Sequence, residues 1–309
     1  MSTVIILGAK GRFGQAALTA FQEPGWDVRA FGRGFKNIPP VGVTQIEGDA
    51  CETAALAQAC TGCDVIVNAL NPPYQNWVRD LPRLTRAVIA AARASGATVV
   101  IPGNVYNFGE NAPEILTPTT PWRPTTRKGQ LRVAMENAYK QAGVPTIVLR
   151  SGHFVLRSGH FVLRGQTDNW FDGYMTTKSH AGKTMYPGPL DRMHSWAYLP
   201  DMGRAIVQLV EKRSEFQTFE DFGFEGYSMK GADFVDAVAN ATGRAQKVTR
   251  LPWPLIGLLG LFNAKMREVY EMRYLWHTPH RVDGAKLAAA LPTFEPTPMA
   301  DALKAALRS

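Results

Sequence analysis

The sequence has no long hydrophobic run, few cysteines and no block of like charge. Its most apolar later stretch, Leu251 to Phe262, carries Pro252 and Pro254 early and falls short of the roughly 20 residues that cross a bilayer. A membrane span is thereby excluded, and no membrane partner is expected. The three cysteines, Cys51, Cys60 and Cys63, are too few for a disulfide framework. Cys60-x-x-Cys63 has the spacing of a redox pair or half a metal site, but no second Cys/His pair matches it. Packing ahead of an apolar strand is the plainer reading, and no metal is expected. The formal net charge is +8, yet the basic residues are scattered, which argues against nucleic acid and favours a small anionic ligand. An apolar strand (Val4 to Leu7) begins almost at once, leaving no room for a signal peptide, so a cytoplasmic location is expected.

What is present is a nucleotide-binding opening. An apolar run is followed by Gly8-x-x-Gly11-x-x-Gly14, with Arg12 and Phe13 inside the loop, and then by an amphipathic run from about Gln15. Such a loop needs one glycine for the sharp turn, one for backbone approach to a pyrophosphate and one for helix–strand packing. The helix that follows aims free N–H groups at the phosphates. Between a strand and a helix the triplet is a strong signal. Apolar segments then alternate with helical ones. Val28–Phe31, Val43–Ile46, Asp64–Leu70, "ATVVIPG" and "PTIVLR" read as strands; about Trp77 to Ala94 and Leu131–Gln141 read as helices, with Pro82 pointing to a later start for the first. This pattern implies an α/β Rossmann-type doubly wound parallel sheet over residues 1–150. Residues 151–309 are expected to form mainly a smaller C-terminal α+β substrate lobe, with some segments returning to the first domain.

The end of the second strand carries Gly32 and Arg33, followed by Lys36, where an NAD-binding chain places an acid for the ribose 2′-hydroxyl. Cations there suit a 2′-phosphate, and Arg12 is a further contact for it, so NADP is expected as cofactor in preference to NAD. The bland reading is that Arg33 and Lys36 are solvated loop charges.

An ordered set of segments extends this pattern along the chain: "GAKGRFG", "EGDA", "VNALNPPY", "IPGNVYNFG", "KGQLRVAME", "VLRSGHF" and "HSWAYLPDMGRA". Together they resemble the extended and atypical short-chain dehydrogenase/reductase superfamily, especially NAD-dependent epimerase/dehydratase-like proteins. By position, the resemblance implies that Asp49 bonds the adenine and that Asn68 and Ala69 line the ribose side. Helix capping is the alternative for Asp49, and for Asp201, which by resemblance faces the hinge. The family often pairs through helices beside its catalytic segment, so a homodimer is the oligomer the resemblance implies.

The catalytic positions depart from the family. Its Ser or Thr matches Asn104, and its Tyr-x-x-x-Lys matches Lys128-x-x-x-Arg132. A lysine acid is chemically coherent if positive surroundings, Arg132 included, lower its pKa, with Asn104 donating to a developing oxyanion. Tyr106 and Tyr74 are alternative acids. Two functions follow: an oxidoreductase or epimerase-like enzyme moving hydride on a polar carbonyl or hydroxyl substrate, or a non-catalytic NADP(H)-binding redox sensor. The heptad "SGHFVLR" occurs twice in tandem over Ser151–Arg164. It reads as a local duplication in which His153 and His160 compete for one site position. Met202, Met266 and Met272 read as core filler, and Thr297 beside Pro298 as the start of a final helix.

Overall fold

The computed structural model describes residues 1–22, 25–35, 41–155 and 170–307. His160, Lys36 and most of the duplicated heptad lie outside these residues. The main sheet comprises β1 (Thr3–Leu7), β2 (Asp27–Gly32), β3 (Val43–Glu47), β4 (Val65–Asn68), β5 (Thr98–Gly103), β7 (Thr146–Arg150) and β11 (Phe219–Gly223); β6 (Ile115–Leu116) lies apart. Its order is β3-β2-β1-β4-β5-β7-β11, and every pairing is parallel. The doubly wound sheet expected from the alternating segments is therefore the observed one. Chain direction across the sheet reverses between β1 and β4, the point at which such sheets bind ligands.

Both faces of the sheet are covered, and alternate strand residues divide between them. Val4, Ile6, Val28, Ala30, Val65 and Val67 pack with α1 (Arg12–Phe21) and α5 (Leu199–Glu211). Ile5, Leu7, Ile66, Val99 and Ile101 pack on the other side with α2 (Thr53–Ala59), α3 (Trp77–Ser95) and α4 (Arg127–Ala142). Cys60 and Cys63 belong to this second core as free thiols, and burial pushes the Cys60 thiol up to about 12. Helix α3 starts at Trp77 with Pro82 inside it, earlier than Pro82 suggested. The carbonyl that Pro82 cannot bond is that of Val78, a residue on the solvent side at 43% exposure. Helix α4 likewise starts ahead of the expected Leu131, because the Thr126 hydroxyl accepts from the Gly129 N–H at 3.1 Å and caps it.

A buried ion network ties the edge of this sheet together. Arg150, at the end of β7, donates to Glu136 on α4 at 2.6 Å and to Asp221 on β11 at 2.6 Å, and also to the Asn104 carbonyl at 2.7 Å. Burial opposes the Arg150 charge, but the two carboxylates outweigh it and raise the guanidinium above its ordinary value. Burial also raises Asp221, against the pull of Arg150.

The remaining strands build the second lobe. β8 (His153–Val155), β10 (Met193–Tyr198) and β12 (Tyr227–Lys230) form one small sheet; β9 (Lys183–Tyr186) pairs with β13 (Lys247–Arg250), and β14 (Arg281–Val282) with β6. Helices α6 (Gly231–Thr242), α7 (Trp253–Gly260), α8 (Ala264–Glu271), α9 (Ala285–Ala290) and α10 (Met299–Leu307) complete the chain. Asp201, in the first turn of α5, neither caps that helix nor faces open space. It accepts from the Thr297 N–H and hydroxyl, both at 2.7 Å, and from Arg204. Thr297 thus spends its hydroxyl on Asp201, and the Pro298 carbonyl takes the first-turn N–H groups of α10. Met202 and Met272 are fully buried and Met266 lines the second-lobe core.

That core contains three histidines. His153, His194 and His280 lie with ring centroids 5.1–5.4 Å apart, and His153 stacks on Trp276 at 4.2 Å. Burial holds all three well below the ordinary imidazole value, with mutual repulsion adding to it for His153 and His194; His280 falls to about 4. Because the folded values are depressed, the unfolded chain protonates first as the pH falls. Stability is full above about pH 6.5 and is lost toward pH 4, by about 3 kcal/mol from His280 alone at about 1.4 kcal/mol per pH unit. Urea unfolding at pH 7.5 and 5.0 is expected to show a lower midpoint at pH 5.0, and His280→Gln a weaker dependence; equal midpoints for the wild type would contradict a buried neutral cluster. In the ion network, Arg150→Met leaves Glu136 and Asp221 buried without their cation and should cost about 3–5 kcal/mol in thermal unfolding; a loss below 1 kcal/mol would show that water enters the network.

Candidate cofactor and active site

The Gly-rich loop sits where β1 and β4 diverge. Gly8 has φ +74°, a left-handed conformation, and a Cβ there would lie 2.8 Å from the Ala69 carbonyl oxygen at the end of β4. A Cβ at Gly14 would collide with the Gly8 carbonyl. The loop closes on itself through Gly11 N–H to Gly8 O at 2.9 Å, and Gly8 N–H bonds Phe31 O at 3.1 Å. Helix α1 then begins with Gly11 in the cap position, no side chain capping it and no acid in its first turn. The helix end thus presents backbone donors and the positive end of its dipole to an anion. Phe13 is half-buried against the core beneath. These residues fit a dinucleotide pyrophosphate.

Around this loop, several side chains face partners that local sequence did not show. Arg12 pairs with Asp172 of the second lobe at 2.5 Å, and so bridges the two halves of the chain. Arg33, at the end of β2, is 79% exposed and 3.7 Å from Asp49. Asp49 also accepts from the Cys51 N–H at 2.9 Å. Asn68 is buried and donates to the Tyr139 hydroxyl at 3.0 Å, turning its amide toward α4. Lys36 lies outside the described residues.

The positions aligned with the family's catalytic set gather at the start of α4 and the end of β5. Lys128 is 1% exposed. Its Nζ donates to Glu268 and Glu271 of α8, and its N–H to Glu271 at 3.1 Å. The expected positive surroundings are therefore corrected: two carboxylates from α8 face this amine. Arg132, one turn on, donates to the Pro102 carbonyl at 2.6 Å and lies 3.9 Å from Glu136; burial lowers its pKa. The Asn104 Oδ1 accepts from the Tyr106 N–H at 3.0 Å, capping a short 3-10 turn. That uses the acceptor end of the amide, and an oxyanion would need the donor end. The Tyr106 and Tyr74 hydroxyls share a 3.0 Å hydrogen bond, and Lys128 Nζ lies 5.1 Å from the Tyr74 ring centre. Burial raises the Tyr106 phenol while its bond to Tyr74 opposes the shift. A cleft of about 420 Å³ opens beside this cluster, lined by Thr126, Glu271, Arg273, Tyr274 and His277 among others.

His153 packs within the aromatic core of the second lobe, and no group of three His, Cys, Asp or Glu among the described residues has metal-holding geometry. Sequence reading missed Glu268, Glu271, Asp172 and Tyr139. Their only local signal was a charged or aromatic residue in a helical or aromatic-rich segment, since each meets its partner across the fold.

Comparison with known proteins agrees with this geometry. Residues 8–154 match a family model described as NAD(P)H-binding. No curated protein sequence matches the chain. Among solved structures, it is similar to the Bordetella bronchiseptica enzyme WbmH in complex with NAD+, at 16% identity, 99% and 97% coverage of the two chains and a TM-score of 0.74. It is similar to a nucleoside-diphosphate-sugar epimerase from Pseudomonas aeruginosa at 16% identity, 99% and 96% coverage and a TM-score of 0.74. The UDP-Glc/GlcNAc 4-epimerase of Campylobacter jejuni gives 14% identity, 99% and 98% coverage and a TM-score of 0.74. The resemblance drawn from the sequence motifs thus stands: residues 8–154 are similar to NAD(P)H-binding domains, and the chain has the fold of the sugar-nucleotide epimerases.

Proposed function

We propose that the protein is an NADP-dependent oxidoreductase or epimerase-like enzyme acting on a polar carbonyl or hydroxyl substrate. The observation that carries this reading is the uncapped start of α1 behind the tightly packed Gly8–Gly14 loop. A bound nicotinamide would supply or accept the hydride. Arg33, exposed at the end of β2 and only loosely paired with Asp49 at 3.7 Å, is free to turn to the 2′-phosphate of NADP.

In this reading Lys128 gives the proton to the substrate oxygen, and water from the cleft that Glu271 lines returns one to the amine afterwards, while Glu268 and Glu271 hold that amine in place. The donor end of Asn104 polarises that oxygen. Arg132 holds the end of β5 through the Pro102 carbonyl. The hydrogen-bonded Tyr106–Tyr74 pair is the other proton source in the same cluster. The saturation of Lys128 by two carboxylates also favours a second reading, a redox sensor that binds NADP(H) without chemistry. Neighbouring folds that act on sugar nucleotides make such sugars the first substrates to screen.

The discriminating variant is Lys128→Arg, which keeps the charge and both ion pairs but carries a group that does not release its proton. On the enzyme reading it binds NADPH normally while turnover of the carbonyl and sugar-nucleotide panel falls at least about 100-fold. No turnover by the wild type, with tight NADPH binding, puts the sensor ahead; unchanged turnover in Lys128→Arg with loss in Tyr106→Phe moves the acid to the tyrosine. For cofactor choice, fluorescence titration should give NADPH binding about tenfold tighter than NADH, and Arg33→Ser should abolish the difference. An unchanged preference would make Arg33 a solvated surface charge.

A further inference from the structure

Helix α7 is apolar on every side, which is unusual for a surface helix. Trp253, Ile256 and Gly260 face the second-lobe core. Leu255, Leu258 and Leu259 point away from it and are exposed, and the turn beyond adds Leu261 and Phe262, at 70% and 88% exposure. Helix α8 folds back tightly on α7, with Gly260 so close that a Cβ there would lie 3.1 Å from Arg267 Cα. Five large exposed apolar side chains thus fall within eight consecutive residues, Leu255 to Phe262, of one hairpin. Single exposed leucines are ordinary, but a patch of this kind marks a contact surface.

The charge around the hairpin has one sign. From Arg244 to Arg273 the sequence holds six basic residues and two acids, and both acids, Glu268 and Glu271, turn inward onto Lys128. Arg250 precedes α7, Arg267 flanks it, and both are exposed. We infer that the α7–α8 hairpin docks on an anionic lipid surface, with its leucines and Phe262 entering the headgroup–acyl boundary and its basic residues meeting lipid phosphates. A symmetric contact between two copies of the chain would set like charges against one another, whereas an anionic bilayer neutralises them. No described helix is long and apolar enough to cross a membrane, and docking of this kind needs none. The absence of a membrane partner was expected from the lack of a spanning segment, which does not bear on a hairpin lying in the interface.

The test is co-sedimentation of the full chain with vesicles of phosphatidylcholine alone or with about one-third phosphatidylserine. Binding to the anionic vesicles should exceed the neutral ones about tenfold and should weaken with salt. The exposed double variant Leu258→Ser/Phe262→Ser should lose it, and Arg250→Ser/Arg267→Ser should lose the preference for phosphatidylserine. NADPH titration of the same variants should match the wild type, showing that the fold is intact and keeping this result separate from the cofactor reading. Sedimentation equal with and without phosphatidylserine overturns the inference. So does a wild-type dimer in light scattering that Leu258→Ser/Phe262→Ser converts to monomer without any vesicle binding, which would assign the hairpin to a second copy.

Discussion

The buried guanidinium of Arg150 is the constraint on which the arrangement of the site depends. It stands at the end of β7 and holds Glu136 on α4, Asp221 on β11 and the carbonyl of Asn104 after β5. A charge this deep is tolerated only when every neighbour answers it. Each of these partners belongs to a different element, so the network fixes how α4 sits on the sheet and where the loop after β5 turns. Lys128 and Arg132 take their positions from α4, and Asn104 and Tyr106 take theirs from that loop. The edge strand β11 comes from far along the chain, so the second half of the sequence helps to set the geometry of the first.

The site's two halves differ in how far their polar groups are already satisfied. At the start of α1 the backbone donors have no capping side chain and no acid in the helix's own first turn, which suits a site built to receive an anion. At the start of α4 the reverse holds. Lys128 is held by two glutamates, Arg132 by a carbonyl, and Tyr106 by Tyr74. Dinucleotide binding therefore follows from the first half directly. Chemistry at the second half requires that a substrate oxygen compete with groups already in place.

The elements governed by local sequence were legible. An apolar run followed by Gly8, Gly11 and Gly14 left few alternatives to a strand, a tight loop and a helix, and the alternation of later segments gave the doubly wound sheet. Boundaries were less so: Thr126 starts α4 early, and α3 accepts Pro82 on its solvent side. The surroundings of Lys128 were not legible. Its carboxylates arrive from about 140 residues away on a segment whose visible pattern was only that of an amphipathic helix. Asn68 shows the same limit, since its position at the end of β4 suggested the ribose while its amide bonds Tyr139. Aligned positions identify where a group lies, and the fold decides what it faces.

The central claim is that the start of α1 receives a dinucleotide phosphate, and Gly11→Asp tests it most directly. Gly11 has an ordinary negative φ of −74°, and a Cβ there would lie 3.2 Å from the Gly8 carbonyl, so a side chain is accommodated with a small shift while its carboxylate occupies the anion site. Fluorescence titration with NADPH should show binding in the wild type and a loss of at least about tenfold in the variant, the equivalent of about 1.4 kcal/mol. Equal NADPH affinity in the two proteins, with both folded by circular dichroism, would contradict the account.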